Sequence, residues 1–449
     1  MNKYAIILSA GKGTRMKTEL PKCAYPLYGK PMINYILENL RASGINDIWT
    51  IVGHKKEVFE EMLKDTVNYA VQNEQLGTGH AVKMAALAMK DLKGITIILA
   101  GDTPLIDSKT ISDAIDYHNK QKHTMTIVST DMDNPFSYGR IVRNKAGNVI
   151  AIREEKDCSE QEKLIKEINS GLYVIDNQKL FWALERITNN NVKNEYYLTD
   201  IVGLLQEKEK IGTYKIADAD ILIGINDLVT LSEVEQIIKN RIDLDLMQKG
   251  INLINRASIF IGPDVKIEEG VTIYPNTILS GPTIIGKEAI IGPNSEIHNS
   301  MIGSQTKITH SVIYNSKVGN GNYIGPYAHI RDNSVLASNN RIGNFVEVKS
   351  AAIKDNVMAC HLAYLGDAEI GSRANIGCGA VTVNFDGKNK HKTVIGKDAF
   401  IGCNVNLIAP LTIGDNAFIA CGTTLGENLD NNTFAISRPE LKKKPNKFK

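Results

Sequence analysis

Aliphatic residues return every six positions through the second half of this chain. They run from Ile261, Ile267 and Ile273 through Leu279, Ile285 and Ile291 to Ile297, again from Ile324 to Val348, and again from Ile395 to Leu425, very often with Gly next. Such hexads are the signature of a parallel β-helix, in which each hexad is one short strand with its turn. If three hexads close one coil, residues three hexads apart stack at about 4.8 Å. That rule predicts contacts from sequence, although the period leaves the hand of the coil open.

Applied to charge, the rule stacks Arg331 on Lys349. Two unpaired like charges invite an anion; a solvated face with nearby acids such as Glu347 is the alternative. Five-residue hexads at Val348 and Leu365 and a loop after Thr382 are then needed to keep register. With these, Cys378, Cys403 and Cys421 form one column above His361. A groove lined by small side chains that leads away from a histidine suits an extended arm such as pantetheine, its thioester near His361. Cysteines filling small slots in a solenoid wall are the competing reading. The repeat breaks once conspicuously, at residues 384–392, and insertions in solenoids often map to the binding face.

Up to about Asn226 the pattern is different: β runs at Tyr4–Leu8, Ile48–Val52 and Ile95–Ala100 alternate with helix-like stretches such as Met32–Ala42. This predicts an α/β domain with a mainly parallel sheet over residues 1–226. Residues 227–250 read as a connecting helix, and residues 251–449 as the β-helix with a C-terminal tail. Fifty-two basic against fifty acidic residues leave a formal +2, so no global field singles out nucleic acid. No stretch approaches a membrane span, and the first apolar run is too short for a signal peptide, so a cytoplasmic location is expected. The six cysteines form no C-x-x-C pair, and free thiols are expected rather than disulfides or zinc.

The loop after the first β run reads Leu8-Ser9-Ala10-Gly11-Lys12-Gly13-Thr14-Arg15-Met16, with Pro21-Lys22 following. It matches neither G-x-G-x-x-G nor the P-loop, yet it shares their logic. Glycines let backbone N–H groups approach phosphate oxygens, while Lys12, Arg15 and Lys22 supply charge. Asp102 follows the Ile95–Ala100 run directly, at the strand end where ligands of open α/β sheets bind.

This constellation resembles the sugar-1-phosphate nucleotidyltransferases. The further motifs are Gln75-Leu76-Gly77-Thr78-Gly79-His80, Gly101-Asp102-Thr103-Pro104-Leu105, Tyr138-Gly139-Arg140-Ile141-Val142 and Glu195-Tyr196-Tyr197-Leu198-Thr199-Asp200. With Gly343-Asn344-Phe345-Val346-Glu347-Val348-Lys349 and the run from His361 to Gly371, the resemblance extends to essentially the whole chain. It points to the bifunctional N-acetylglucosamine-1-phosphate uridyltransferase/glucosamine-1-phosphate acetyltransferases. What it implies is a Rossmann-like nucleotidyltransferase domain followed by a left-handed parallel β-helix of hexapeptide repeats, assembled as a homotrimer through the β-helix. The implied reactions are acetyl transfer from acetyl-CoA to glucosamine-1-phosphate, then uridyl transfer from UTP to N-acetylglucosamine-1-phosphate.

Carried onto this chain, the resemblance implies that Gly11, Lys22, Gln72, Gly77 and Thr78 hold the nucleotide. Asp102 and Asn226 would hold Mg²⁺, and Gly139, Glu154 and Asn169 the N-acetylglucosamine moiety. In the second domain His361 becomes the general base, with Arg331, Lys349, Tyr364, Asn375 and Lys390 positioning the sugar phosphate. Cys378, Asn384, Phe385, Cys403, Cys421 and Arg438 would contact acetyl-CoA. For Lys442, Lys443, Lys444 and Lys447, which follow Arg438-Pro439, a place near the CoA phosphates and an untethered solvated tail are the two readings. The chain departs from the family at the cysteine column, where Ala and Ser are usual, and at Phe385, where Tyr is common. A single nucleotidyltransferase activity carried beside a passive β-helix is the alternative. If the column lines the acetyl donor's groove, thiol-modifying reagents block acetyl transfer and spare uridyl transfer; equal loss of both activities, or of neither, would contradict the expectation.

Overall fold

The computed structural model describes residues 1–11 and 13–445, so the expectations for Lys12 and Lys447 lie outside the described residues. The chain divides into two compact units, Met1–Ile238 and Lys239–Lys449. The division falls inside the helix Leu228–Gln248, where a connecting helix over 227–250 was expected.

In the first unit, strands Lys3–Leu8, Asp47–Val52, Asn68–Val71 and Ile95–Ala100 pair in parallel, with Lys3–Leu8 between Asp47–Val52 and Ile95–Ala100. The largely buried apolar side chains of Lys3–Leu8, Asp47–Val52 and Ile95–Ala100 are what a sheet covered on both faces requires, whereas Asn68–Val71, at the edge, is buried only at Ala70. One long strand, Glu167–Asp176, runs antiparallel between Ile95–Ala100 and Met125–Asp131. Its register slips between Asn169 and Tyr173, where Gly171 adopts φ +78°. That irregularity turns Asn169 towards the short hairpin of Arg140–Arg143 and Val149–Arg153: its backbone N–H donates to the Gly139 carbonyl at 2.8 Å.

The second unit is a parallel β-helix. Ile261 pairs with Leu279, Ile273 with Ile291 and Leu279 with Ile297, each one coil apart, and the stacked aliphatics form one continuous core. At roughly 2 kcal/mol for each fully buried Ile or Leu, this ladder is the unit's main source of stability. The hexad period is lost in the sequence after Ile297, but the coil is not. Ile302, Ile308, Ile313 and Val318 continue the inward ladder. Ile297 now pairs with Ile313, two residues fewer than separate it from Leu279. The shortening is taken up in the turns, which contract around Asn299 and His310 and again, one coil on, around Asn315, all at positive φ. Asparagine tolerates that left-handed conformation, and the Asn299 side-chain amide donates to Asn315 Oδ1 at 2.7 Å.

The six cysteines are free thiols, Cys23 buried and Cys378, Cys403 and Cys421 exposed. No helix of the described residues is long and apolar enough to cross a membrane.

One buried histidine makes the first unit pH-sensitive. His118 is 4% exposed, its Nδ1 lies 3.1 Å from Thr126 Oγ1, and burial, then the neighbouring His123, lowers its pKa from 6.5 to about 4. A base whose folded pKa is depressed stabilises the fold fully above its unfolded pKa and progressively less as pH falls. Stability of this unit should therefore decline from about pH 6.5 towards pH 4, by roughly 2 kcal/mol at pH 5. Denaturant unfolding at pH 7 and pH 5 checks this: the wild type should lose that stability and His118→Gln should lose clearly less.

Candidate functional sites

The first site stands at the carboxyl ends of four parallel strands. Leu8 is in register with Ala100, and Val52 with Val71, so the loops that follow start from one edge. Backbone bonds continue past the strands: Gly101 N–H to the Leu8 carbonyl at 2.9 Å and Gln72 N–H to that of Val52 at 2.8 Å. The result is a cavity of about 360 Å³ lined by Gly11, Lys22, Gln72, Gln75, Gly77, Thr78 and Asp102, among others.

Two glycines make this packing possible. Gly77 sits at φ +109°, and a Cβ there would lie 2.6 Å from the Tyr196 carbonyl oxygen. A Cβ on Gly101 would lie 2.5 Å from Ser9 Oγ and 2.8 Å from Cys23 Sγ. Gln72 is buried, and its Nε2 donates to the Gly77 carbonyl at 3.1 Å, while Gln75 Nε2 reaches the Ala10 carbonyl at 2.6 Å. The Gln75 amide thus ties the strand-end loop to the Gly-rich loop, while that of Gln72 braces the strand-end loop itself. Thr78 accepts the Leu198 N–H through Oγ1 at 3.1 Å, a contact that shapes the loop.

Asp102 and Asn226 converge on one cation. Lys22 Nζ donates to Asp102 Oδ2 and, at 3.0 Å, to Asn226 Oδ1, which also accepts from Arg15 Nη2 at 3.1 Å. A carboxylate and an amide oxygen pointing at one ammonium form an oxygen-only donor set. Mg²⁺ takes such ligands, usually one or two protein oxygens completed by phosphates and water. Cys23 lies buried below, and burial, then the Asp102 charge, pushes its thiol up to about 12. It serves as packing.

In the same unit a second cavity of about 730 Å³ is lined by Arg15, Phe136, Glu154, Lys193 and Tyr197, among others. Burial holds the Glu154 carboxyl above its ordinary range, and Thr199 Oγ1 donates to it at 3.2 Å. The buried Arg140 binds Glu155 at 2.6 Å and so fixes the segment that carries Glu154. Asn169 donates through Nδ2 to Tyr173 Oη at 2.6 Å. Tyr197 is 6% exposed, and its hydroxyl has no partner in the structure. Sequence reasoning quoted Tyr197 and Gln75 within motifs but gave neither a role, because nothing in the local pattern separates a cavity tyrosine from a core one.

The second site lies on the β-helix. His361 is exposed and stacks on Asn344, whose Oδ1 is 3.1 Å from His361 Nδ1. An amide oxygen there selects the tautomer with hydrogen on Nδ1, which leaves the Nε2 lone pair free. The stacking rule, with its short hexad at Val348, already points from His361 to Asn344, a partner overlooked in the sequence. The cysteines stack as expected. Ile376 pairs with Ile401 and Ile401 with Ile419, and Asn404 and Gly422 donate backbone N–H bonds of 2.7 Å to the Cys378 and Cys403 carbonyls. All three side chains are exposed, and Arg438 closes the far end with Nη2 at 3.5 Å from Cys421 Sγ.

One expectation needs correction. Arg331 and Lys349 are in register, but Arg331 is not an unpaired cation. It donates to Glu347 at 2.6 and 3.0 Å and to Asp332 at 2.6 Å, because Glu347, two residues before Lys349, faces the guanidinium from the next coil. The like-charge neighbour of Lys349 is Lys390, whose ammonium is drawn below its usual pKa chiefly by Lys349. Lys390 belongs to the loop inserted after Thr382, which folds back through hydrogen bonding of His391 N–H to the Asn384 carbonyl. Asn384 in turn donates to Tyr364 Oη at 3.4 Å and to Asp367. Arg331, Lys349, Tyr364, Asn384 and Lys390 therefore belong to one polar neighbourhood. Asn375 does not share the face of Tyr364: it is in register with Met358 and Phe400. Phe385 is exposed on the inserted loop, bridged to Lys390.

These features define a transferase with two sites, one built on a nucleotidyltransferase sheet and one on a hexapeptide solenoid. Family models agree: Nucleotidyl transferase matches residues 4–219, GMPPB C-terminal domain 255–356, and Bacterial transferase hexapeptide (six repeats) 392–427. The chain is 49% identical to Bifunctional protein GlmU of Acholeplasma laidlawii, over 98% of this chain and 95% of that one. It is 46% identical to the protein of that name from Staphylococcus haemolyticus, over 98% and 97%. At 45% identity it matches that of Halalkalibacterium halodurans, over 97% and 96%. The chain belongs to the bifunctional GlmU family, and its β-helix is of the left-handed hexapeptide type.

Gly101 gives the test of the first site's geometry. Gly101→Ala forces Ser9, Cys23 or the Leu8 carbonyl aside, and displacement of Asp102 by even 1 Å should cost on the order of 10² in nucleotidyl transfer. Steady-state rates of both transfers in the one variant check this: acetyl transfer should be unchanged.

Proposed function

We propose that the chain carries out two consecutive transfers that yield UDP-N-acetylglucosamine, and that the residues above divide between them. On the β-helix, His361 Nε2 takes a proton from the ammonium of glucosamine-1-phosphate. The freed amine attacks the acetyl-CoA thioester carbonyl, the C–S bond breaks, and CoA leaves as the thiolate, which takes up the second proton that the nitrogen loses as the amide forms. Asn344 holds the imidazole ready, and a neutral imidazole suits a base that must work near neutral pH. The paired ammoniums of Lys349 and Lys390 supply the attraction for the sugar phosphate; Arg331, neutralised by Glu347 and Asp332, acts in fixing that wall and in hydrogen bonding. The observation that carries this half is the Asn344–His361 contact at 3.1 Å, which leaves a free base at the foot of the cysteine column.

In the first unit, a phosphate oxygen of N-acetylglucosamine-1-phosphate attacks the α-phosphorus of UTP in line, and pyrophosphate leaves. No covalent nucleophile is required. Gly11, Gln72, Gly77 and Thr78 shape the nucleotide cavity, and Lys22 and Arg15 bring positive charge to it. Glu154, Gly139 and Asn169 serve the sugar. Asp102 and Asn226 would hold Mg²⁺, which supplies charge neutralisation at the phosphates when bound. Lys22 occupies that role between the same two oxygens here, so its ammonium must move from Asp102 to phosphate as substrates enter. We further assign assembly as a homotrimer through the β-helix, operation in the cytoplasm where both co-substrates are made, and free diffusion of the intermediate between the sites.

The test supplies glucosamine-1-phosphate, acetyl-CoA, UTP and Mg²⁺ and follows CoA and pyrophosphate together. Both should appear, with UDP-N-acetylglucosamine. His361→Ala should lower acetyl transfer by roughly 10²–10⁴ with uridyl transfer intact, and Asp102→Ala should do the reverse. Pyrophosphate release from N-acetylglucosamine-1-phosphate with no CoA ever freed would overturn the acetyltransferase half.

A further inference from the structure

The three thiols above His361 have a chemistry of their own. Cys378, Cys403 and Cys421 each lie two residues beyond a paired inward aliphatic, Ile376, Ile401 and Ile419, and so occupy the same place on successive coils. The coils are packed closely there: a Cβ on Gly377 would lie 2.6 Å from Cys403 N, and one on Gly402 2.5 Å from Cys421 N. Adjacent parallel strands place equivalent Cα atoms about 4.8 Å apart, inside the window of roughly 4.4–6.8 Å that a disulfide spans. Stacked Cβ atoms at the same spacing exceed the mean Cβ separation in disulfides, roughly 3.8 Å, by about 1 Å. A bond formed here must draw the two side chains together and is therefore strained, which makes it easily reduced. All three side chains are exposed and free, so an oxidant reaches them.

We propose that this column is a reversible thiol–disulfide site in which Cys403, the middle thiol, pairs with either Cys378 or Cys421 when the chain meets a peroxide. The Cys403 thiolate attacks one oxygen of hydrogen peroxide, giving a sulfenic acid as the O–O bond breaks and water departs. The neighbouring thiolate then attacks that sulfur and expels a second water. Two thiols lose two electrons and two protons, and one peroxide becomes two waters. The third thiol remains beside the new bond, where it can exchange into it and move the bridge one coil along. That the bridge also governs catalysis rests on the reading of this column as the wall of the acetyl donor's groove: two locked side chains then replace two free ones along the pantetheine arm.

The reduced full-length protein is treated with hydrogen peroxide at pH 8, remaining thiols are alkylated, and peptides are mapped by mass spectrometry before and after dithiothreitol. The expected result is a cross-link joining Cys403 to Cys378 or to Cys421, reversed by dithiothreitol. Cys378→Ser should still form the Cys403–Cys421 link, whereas Cys403→Ser should form neither. Full alkylation of all three thiols after peroxide, or an undiminished column disulfide in Cys403→Ser, overturns the proposal. Acetyl and uridyl transfer are assayed on the same samples. Acetyl transfer should fall roughly tenfold or more on oxidation and return on reduction, with uridyl transfer constant. A reversible disulfide with unchanged acetyl transfer would refute the placement of the acetyl donor along the column and leave the thiol site standing; normal acetyl transfer with no disulfide would refute the thiol site alone.

Discussion

Coil-to-coil hydrogen bonding in parallel register is the constraint on which the second unit depends. Once Ile330 pairs with Val348 and Val348 with Leu365, the positions on either side of them fall into fixed columns. A solenoid has no long loops with which to assemble a site from distant elements. Its chemistry must come from stacked positions and from insertions, and both occur here. Asn344 lies under His361 through stacking, and Lys390 reaches Lys349 through an insertion. The aliphatic core fixes the stack, so the same ladder that stabilises the unit also orients its base.

The first unit solves the same problem in another way. Its sheet ends four strands at one edge, and the functional groups sit one to three residues beyond those ends, as Asp102 does beyond Ala100 and Gln72 beyond Val71. The loops have to approach one another more closely than side chains normally allow. Gly77 and Gly101 meet that demand by having no Cβ, the Gln75 amide then ties two of the loops together, and the Gln72 amide braces its own. A basic cluster would repel itself at this edge. The carboxylate of Asp102 and the amide oxygen of Asn226 hold Lys22 and Arg15 in place.

How much of this was legible in the sequence follows from the same physics. Where turns keep a constant length, as from Ile261 to Ile297, a six-residue count finds the core directly. Where the turns contract at Asn299, His310 and Asn315 the count fails, although Ile302, Ile308, Ile313 and Val318 still face inward. Register is a property of the backbone, so the Cys378–Cys403–Cys421 column and the Arg331–Lys349 pair could be predicted from spacing. Side-chain pairing is not set by register. Glu347 stands on the same strand as Lys349 but reaches back to Arg331, and a one-dimensional count cannot choose between those two cations. The partnerless hydroxyl of Tyr197 likewise depends on three segments meeting, which no local pattern records.

The distribution of charge on the two sites follows from where each anion must go. In the proposed nucleotidyl transfer a triphosphate needs cations that can be released to it, and Lys22 is held by Asp102 and Asn226, oxygen donors of the kind that Mg²⁺ would also take. In the proposed acetyl transfer a sugar monophosphate would meet instead two neighbouring ammoniums, of which Lys390 is drawn below its usual pKa chiefly by Lys349. A dianion between them would give each ammonium an opposite charge at short range. On that reading a phosphate ester is favoured over a neutral sugar, and the preference is supplied by a loop whose insertion leaves the aliphatic ladder untouched.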